Sequence, residues 1–362
     1  MSVQDDLLWE IEPHTIAKLE ILRRYLGAWF GIMGQTNRRI IYLDGFCGPG
    51  RYKKGEDGSP IIALKIALEH NSHQRIKEAS FIFIDESQDR VLHLKDEIQL
   101  LNIPHNFHVS TILNQFENTL NDILDNLEAK GAKLAPTFAF IDPFGFKGAP
   151  YKLVQRLLQN PKTEIFINIM ADSINRFLEH PDPQIPCHII DLFGTEDVLQ
   201  IVKRSGNRIV QLKQLYQEQL LKIAKYVRFF EMRDGNNRLI YCLFFATNNR
   251  LGHVKMKKAF WEVDHASGYK YSDATNPHQP VLFEENPSKD LAEQLAIRFS
   301  KKNLEVSMIK TYVEDETPFT APHMTKALRS LEGEDRIFVE PYKKNGDKRR
   351  PHSFTDDVIV SF

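Results

Sequence analysis

Short strands that are apolar along their whole length constrain this chain more than any other feature. They occur in RRIIYLDGFCGPG, FIFIDE, PTFAFIDPFGFKG and TEIFINIM, and none alternates polar with apolar residues. A strand reads this way when helices cover both faces of a parallel sheet. Between the strands lie helical runs. From His14 to Met33 the residues Ile16, Leu19, Leu22, Leu26, Trp29, Phe30 and Met33 recur every three or four positions, which predicts an amphipathic helix. Ser59-Pro60 opens IIALKIALEH with a cap and a first-turn proline. QDRVLHLKDEIQLL, ILNQFENTLNDILDNLEAK and YKLVQRLLQN continue the alternation, and residues 105–110 are a candidate third strand. Strand–helix repetition predicts a doubly wound α/β fold.

Beyond the fifth strand the pattern changes. Residues 171–225 hold His180-Pro181-Asp182-Pro183, Pro186 and several short helical runs, and are expected to form an inserted helical cap. YVRFFEMRDGNNRLIYCLFFATN then carries two strand-like runs around Asp234-Gly235-Asn236-Asn237, a hairpin signal. Parallel strands closed by an antiparallel hairpin have the order of a methyltransferase-type sheet. This assigns residues 1–270 to a methyltransferase-like domain, 271–289 to a polar linker, and 290–362 to a C-terminal module of helices and a two-stranded basic wing. That module is expected to be winged-helix-like, a form that docks on nucleic acid or on protein.

Composition excludes several classes. With 42% hydrophobic residues the chain can build a large core. It has no apolar run long enough to span a membrane, and MSVQDDLLWEIEPHT lacks the basic start of a signal peptide. Cys47, Cys187 and Cys242 are far apart, without the spacing of zinc or redox sites. A cytoplasmic, reduced protein without a metal centre is expected. The net charge of −1 does not mark a nucleic-acid binder, yet Lys343, Lys344, Lys348, Arg349 and Arg350 concentrate charge at the wing tip, and local patches steer phosphate.

Three strand ends carry the candidate chemistry. The first delivers Asp44 into a turn with Gly45, Phe46, Gly48 and Gly50, at the edge where open α/β sheets bind ligands. The order G-x-x-G-x-G is not the dinucleotide pattern, and no G-K-[ST] follows. An acid and free backbone N–H groups instead suit the ammonium and carboxylate of S-adenosylmethionine. The second strand ends at Asp85-Glu86, where a carboxylate can receive ribose hydroxyls; the sequence does not separate the two, and one of them can instead cap the next helix. The fourth strand ends in Asp142-Pro143-Phe144-Gly145, with the proline holding Asp142 extended.

Asp142-Pro143-Phe144-Gly145 resembles the tetrad of amino methyltransferases of nucleic acids, in particular the tRNA guanine-N2 methyltransferases. The resemblance implies that Asp142 accepts from the target amine and that Phe144 stacks on the base. The wider order, Leu43-Asp44-Gly45-Phe46-Cys47-Gly48-Pro49-Gly50-Arg51-Tyr52, Gly58-Ser59-Pro60 and Phe140-Ile141-Asp142-Pro143-Phe144-Gly145, resembles the three-Cys-motif partner (TcmP) proteins from about Thr15 to Asp264. That likeness also takes in Lys18, Leu22 and Tyr25 of the N-terminal helix. It implies a companion protein with three cysteines, similar to radical S-adenosylmethionine enzymes.

Arg51, Lys53 and Lys54 flank the glycine turn and are candidate phosphate contacts. His14 and Lys18, four apart on one helix, could line the site mouth but are expected to be solvated. Cys47 is expected to be a packing residue, and His180, Asp182, His188 and Asp191 lack metal-site spacing. Three functions compete. A methyltransferase acting on an amine of RNA or DNA leads. A non-catalytic adaptor of the three-cysteine protein is the second, and a nuclease or nucleotide hydrolase using Asp44, Asp85 and Asp142 with Mg²⁺ is the third.

Overall fold

The computed structural model describes residues 7–71, 76–273 and 286–362. One compact unit runs to Ala259 and regains the chain at Lys270; the other comprises Phe260–Tyr269 and the described residues from 286 onward.

The first unit opens with α1 (Pro13–Thr36), β1 (Ile40–Asp44), α2 (Ser59–Asn71), β2 (Ala79–Asp85), α3 (Gln88–Gln99), β3 (Phe107–Leu113), α4 (Phe116–Ala129), β4 (Thr137–Ile141), α5 (Tyr151–Leu158) and β5 (Thr163–Ile169). The helices α6 (Ala171–Phe177), α7 (Gln184–Phe193), α8 (Asp197–Gln200) and α9 (Arg208–Leu221) lead to the hairpin β6 (Tyr226–Arg233) and β7 (Leu239–Thr247), then α10 (Arg250–Trp261) and β8 (Lys270–Ser272). The sheet order is β3-β2-β1-β4-β5-β7-β6-β8. The first five strands are parallel, and β7 is antiparallel to both β5 and β6. This is the methyltransferase-type order expected from the sequence. Asn237 turns the hairpin at φ 60°, donating its N–H to Asp234 at 2.9 Å.

Apolar burial on both faces holds the sheet. On one face Tyr25 and Phe30 of α1 lie against Phe138 and Phe81, at ring separations of 5.2 and 6.0 Å. On the other, Leu120, Leu153, Leu157, Ile174, Phe193 and Tyr216 share one core with Ile165, Ile167 and Phe244. Each such side chain contributes about 1.5–3 kcal/mol. Residues 171–225 hold the expected helical insert, α6 to α9, whose apolar residues cover the β4–β5–β7 face directly. The linker expected at 271–289 yields at both ends: β8 pairs with β6 (Met232↔Tyr271 and Arg233↔Ser272), and α11 (Pro287–Arg298) has begun by 287. Most of the remainder lies outside the described residues.

The second unit comprises α11, β9 (Asn303–Glu305), α12 (Val306–Glu316), α13 (Ala321–Gly333), β10 (Phe338–Val339) and β11 (Ile359–Ser361), with antiparallel strand order β10-β11-β9. Leu291, Leu295, Ile309, Val313, Leu328, Val358 and Val360 fill its core. Among the described residues no helix is long and apolar enough to cross a membrane.

Candidate active site

The ends of β1, β2 and β4 meet at one edge of the sheet because these strands are neighbours in register, Asp44 lying beside Phe140 and Phe83. Asp44 is fully buried beneath the glycine turn. It accepts from the Tyr42 hydroxyl at 3.3 Å and the Phe46 N–H at 3.4 Å, and from the Ser59 hydroxyl. Burial pushes its carboxyl up to about 7, the charge of Asp142 adds to the rise, and the three donors oppose it.

The turn above it is tightly built. Gly45 donates to Phe140 O at 2.9 Å and Cys47 to Ile84 O at 3.0 Å, so the turn bridges β4 and β2. A methyl group on Gly45 would meet the Phe116 ring at 2.6 Å, and one on Gly50 would meet Leu94 at 2.7 Å, which only glycine avoids. Gly48, at φ +62°, is different: its missing side chain faces the cleft, where the sole neighbour within 4 Å among the described residues is the Trp9 indole.

The structure separates Asp85 from Glu86. Asp85 is buried, accepting from the Gly48 N–H at 3.0 Å and the Ser87 N–H at 2.9 Å, with Arg90 at 3.8 Å. It ties the glycine turn to the start of α3, while Glu86 is exposed.

Asp142 lines the cleft with Gly48, Gly50, Ser59 and Phe144. Its carboxylate is held from both sides, by Lys18 Nζ on Oδ2 and by Asn168 Nδ2 on Oδ1 at 2.8 Å. Asn168 is 3% exposed at the end of β5, and its own Oδ1 has no partner among the described residues. Pro143 is buried, whereas Phe144 is 76% exposed, a large apolar side chain displayed at the cleft mouth. Lys18 and His14 are both buried, contrary to the expectation of a solvated pair. Lys18 also lies 5.3 Å from the Tyr241 ring centre, and His14 bonds Asp273 at 2.9 Å. The helix buries them because their face of α1 packs on the carboxyl ends of the strands.

The basic candidates divide. Arg51 is tied to Asp57 and to Glu97 at 2.7 Å, so it braces the loop and is not free for phosphate. Lys53 and Lys54 are exposed, Lys54 with Glu10 at 3.8 Å. In the second unit Arg349 pairs with Glu332 and donates to Ser353 O at 3.1 Å, and Lys344 pairs with Glu305. Both are internal contacts. Lys348 and Arg350 are exposed, and Lys343, partly buried, turns the loop by donating its N–H to Asp347 at 2.9 Å.

The cleft itself is small, about 40 Å³, and Trp9 is among its lining. A larger groove of about 850 Å³, lined by Phe146, Lys147, Tyr151, Arg156, His188 and Asp191, shares none of the strand-end carboxylates. Among the described residues no group of three His, Cys, Asp or Glu side chains can hold a metal ion. Asp44, Asp85 and Asp142 are instead each satisfied by donors of the protein.

Sequence reasoning passed over Trp9, Arg90 and Asn168. A single signal marks Asn168: it is the polar residue near the end of TEIFINI, a strand buried at every position.

No protein-family model matches the chain, and no curated protein does. Solved structures similar to it include a putative caffeoyl-CoA O-methyltransferase from Staphylococcus aureus (12% identity, covering 66% of this chain and 86% of that one, TM-score 0.30). An O-methyltransferase from Bacillus cereus in complex with SAH is another (13%, 66% and 82%, TM-score 0.33). A third is a putative O-methyltransferase from Klebsiella pneumoniae (10%, 66% and 91%, TM-score 0.31).

Proposed function

We propose that this protein is an S-adenosylmethionine-dependent methyltransferase acting on an amine of a nucleic acid. One observation carries the reading: the glycine turn after β1 and Asp142 and Phe144 after β4 line the same cleft, on a sheet of methyltransferase order. The donor set fits the cofactor. Asp44 supplies the anion below the turn, Gly48 leaves the backbone bare for close approach, and exposed Glu86, in place of buried Asp85, receives the ribose hydroxyls. The cofactor brings an activated methyl group, so the protein has chiefly to orient the acceptor and exclude water.

Asp142 accepts an N–H of the acceptor, since each carboxylate oxygen keeps a lone pair beyond those used by Lys18 and Asn168. Phe144 offers its exposed face to a planar base. The likeness to the TcmP family adds a partner of the three-cysteine, radical S-adenosylmethionine-like class. The order of the second unit, helix–strand–helix–helix–strand–loop–strand, supports a winged-helix-like module that places Lys348 and Arg350 on phosphate.

Calorimetry with S-adenosylmethionine and S-adenosylhomocysteine tests the cofactor, and transfer of labelled methyl groups to RNA and DNA tests the acceptor. Asp142→Ala is expected to keep cofactor binding and lose transfer. No heat with either ligand would remove the reading. The closed cleft favours the adaptor as the second reading, for which a stable complex with the three-cysteine partner and no turnover would stand.

A further inference from the structure

Trp9 occupies the position in this cleft that a ligand needs. Sites for small molecules and cofactors hold about 300–1,000 Å³. The cleft, about 40 Å³, is far smaller. What fills it is not core packing. Among the described residues the indole is the only group within 4 Å of the face of Gly48, at 3.8 Å, and it stands edge-on to Tyr52 at 5.9 Å and to Phe144 at 6.1 Å. Arg90, from the first turn of α3, reaches across with its guanidinium 5.3 Å from the Trp9 ring and 5.8 Å from Phe144. Cation–π contacts of this kind bridge the two banks of the cleft.

We infer that residues 7–11 form a strap whose Trp9, latched by Arg90 and Phe144, gates the cleft and lifts to admit a nucleoside-sized ligand. The inference rests on the cofactor reading for the identity of the ligand but not for the existence of the gate. The attachment of the strap suits such a movement. Among the described residues, Lys53 N–H to Trp9 O at 2.9 Å and the exposed Lys54–Glu10 pair at 3.8 Å tie residues 7–11 to the glycine loop, while Glu12 stays with the helix, its carbonyl accepting from Thr15 and Ile16 at 2.9 and 3.0 Å and its carboxylate pairing with His14 at 2.8 Å. Behind it Glu12 is extended (φ −87°, ψ 151°) and Pro13 starts α1, which is anchored by buried Leu22, Leu26 and Phe30. The strap can therefore swing about 11–12 without disturbing the helix. Phe144 and Arg90, once parted from Trp9, present a planar face and a cation to whatever enters.

Cys47 lines the same cleft and is buried, so its alkylation reports opening directly. The measurement uses the full chain carrying Cys187→Ser, with a small alkylating reagent and mass spectrometry of the Cys47 peptide. Trp9→Ala and, independently, Arg90→Gln are expected to speed Cys47 labelling about tenfold or more, with melting temperatures within a few degrees of the parent. Trp9→Phe should stay near the parent rate. Saturating S-adenosylhomocysteine should slow labelling again in every variant. Unchanged labelling in folded Trp9→Ala and Arg90→Gln overturns the gate. Faster labelling that the ligand does not slow keeps the gate and overturns the cofactor reading instead.

Discussion

Lys18 of the first helix donates to Oδ2 of Asp142 at the end of the fourth strand, and both lie largely out of solvent. The residue that a methyl acceptor would meet is therefore neutralised by the N-terminal helix. Its other oxygen is fixed by Asn168 at 2.8 Å, which leaves the carboxylate little freedom to turn. The ion pair sets the orientation of Asp142.

Removing the lysine should thus weaken both folding and transfer. Lys18→Met leaves a partly buried carboxylate without its cation, and loss of one partner of such a pair costs up to about 3 kcal/mol at this degree of exposure. Misplacing the acceptor contact by an ångström costs about 10²-fold in rate. Chemical denaturation and single-turnover assays should show both effects. The double variant Lys18→Met/Asp142→Asn should regain stability but not turnover. Equal activity in Lys18→Met and the parent would exclude Lys18 from positioning Asp142.

Asp44 makes the site pH-sensitive. Its folded value, about 7, lies above the ordinary carboxylate range because burial disfavours the charge. A raised value means that the folded state holds the proton more tightly than the unfolded chain. The resulting stability is complete below about pH 4 and is lost as pH rises towards 7. Asp44→Asn should accordingly gain stability relative to the parent across that window, by a few kcal/mol at most, and level off above it. A cationic ammonium needs the ionised form, so ligand affinity should fall below pH 7 with proton release on binding. Calorimetry in buffers of different ionisation enthalpy checks the sign.

Much of this arrangement is legible in the sequence. Both-face apolar strands ending in Asp44, Asp85 and Asp142 disclose the sheet, its order and the edge where chemistry collects. What the sequence hides is how the carboxylates are used. Asp85 and Glu86 are adjacent letters, yet one is buried under the Gly48 N–H and the other is exposed, because the strand ends at Asp85 and Glu86 already lies in the bend beyond it. Lys18 reads as a solvated helix residue until α1 is packed across the strand ends. Arg51 reads as free until Asp57 and Glu97 close on it. Trp9 carries no periodic or motif signal, since its partners come from three other segments.

A second buried acid anchors α1. Glu164 at the start of β5 accepts from Tyr25 at 2.5 Å and Thr247 at 2.9 Å, and burial pushes it up to about 7. The proton held in the folded state again favours folding at low pH, and this contribution disappears as pH rises through about 7. Tyr25→Phe withdraws a donor from a buried acceptor, at about 1–3 kcal/mol, and the loss should be largest above pH 7, where the acid is ionised. Thermal melts from pH 5 to 9 measure it. A uniform loss across that range would mean that the ring contacts of Tyr25 matter and its hydroxyl does not.

The basic tip of the second unit should divide into two kinds of residue. Arg349 is engaged by Glu332 and Ser353 O and lies over Phe354, its guanidinium 5.6 Å from the ring. Arg349→Ala should therefore lower the stability of that unit by about 1–3 kcal/mol. Lys348 and Arg350 are exposed, so their replacement by alanine should leave stability within about 0.5 kcal/mol. If nucleic acid docks on this loop, each of those two changes should also reduce the salt dependence of binding by about one phosphate contact. Anisotropy titrations of labelled RNA and DNA at several salt concentrations, beside denaturation curves, separate the roles. An unaltered salt slope in the Lys348→Ala/Arg350→Ala double variant would take the loop out of the nucleic-acid interface.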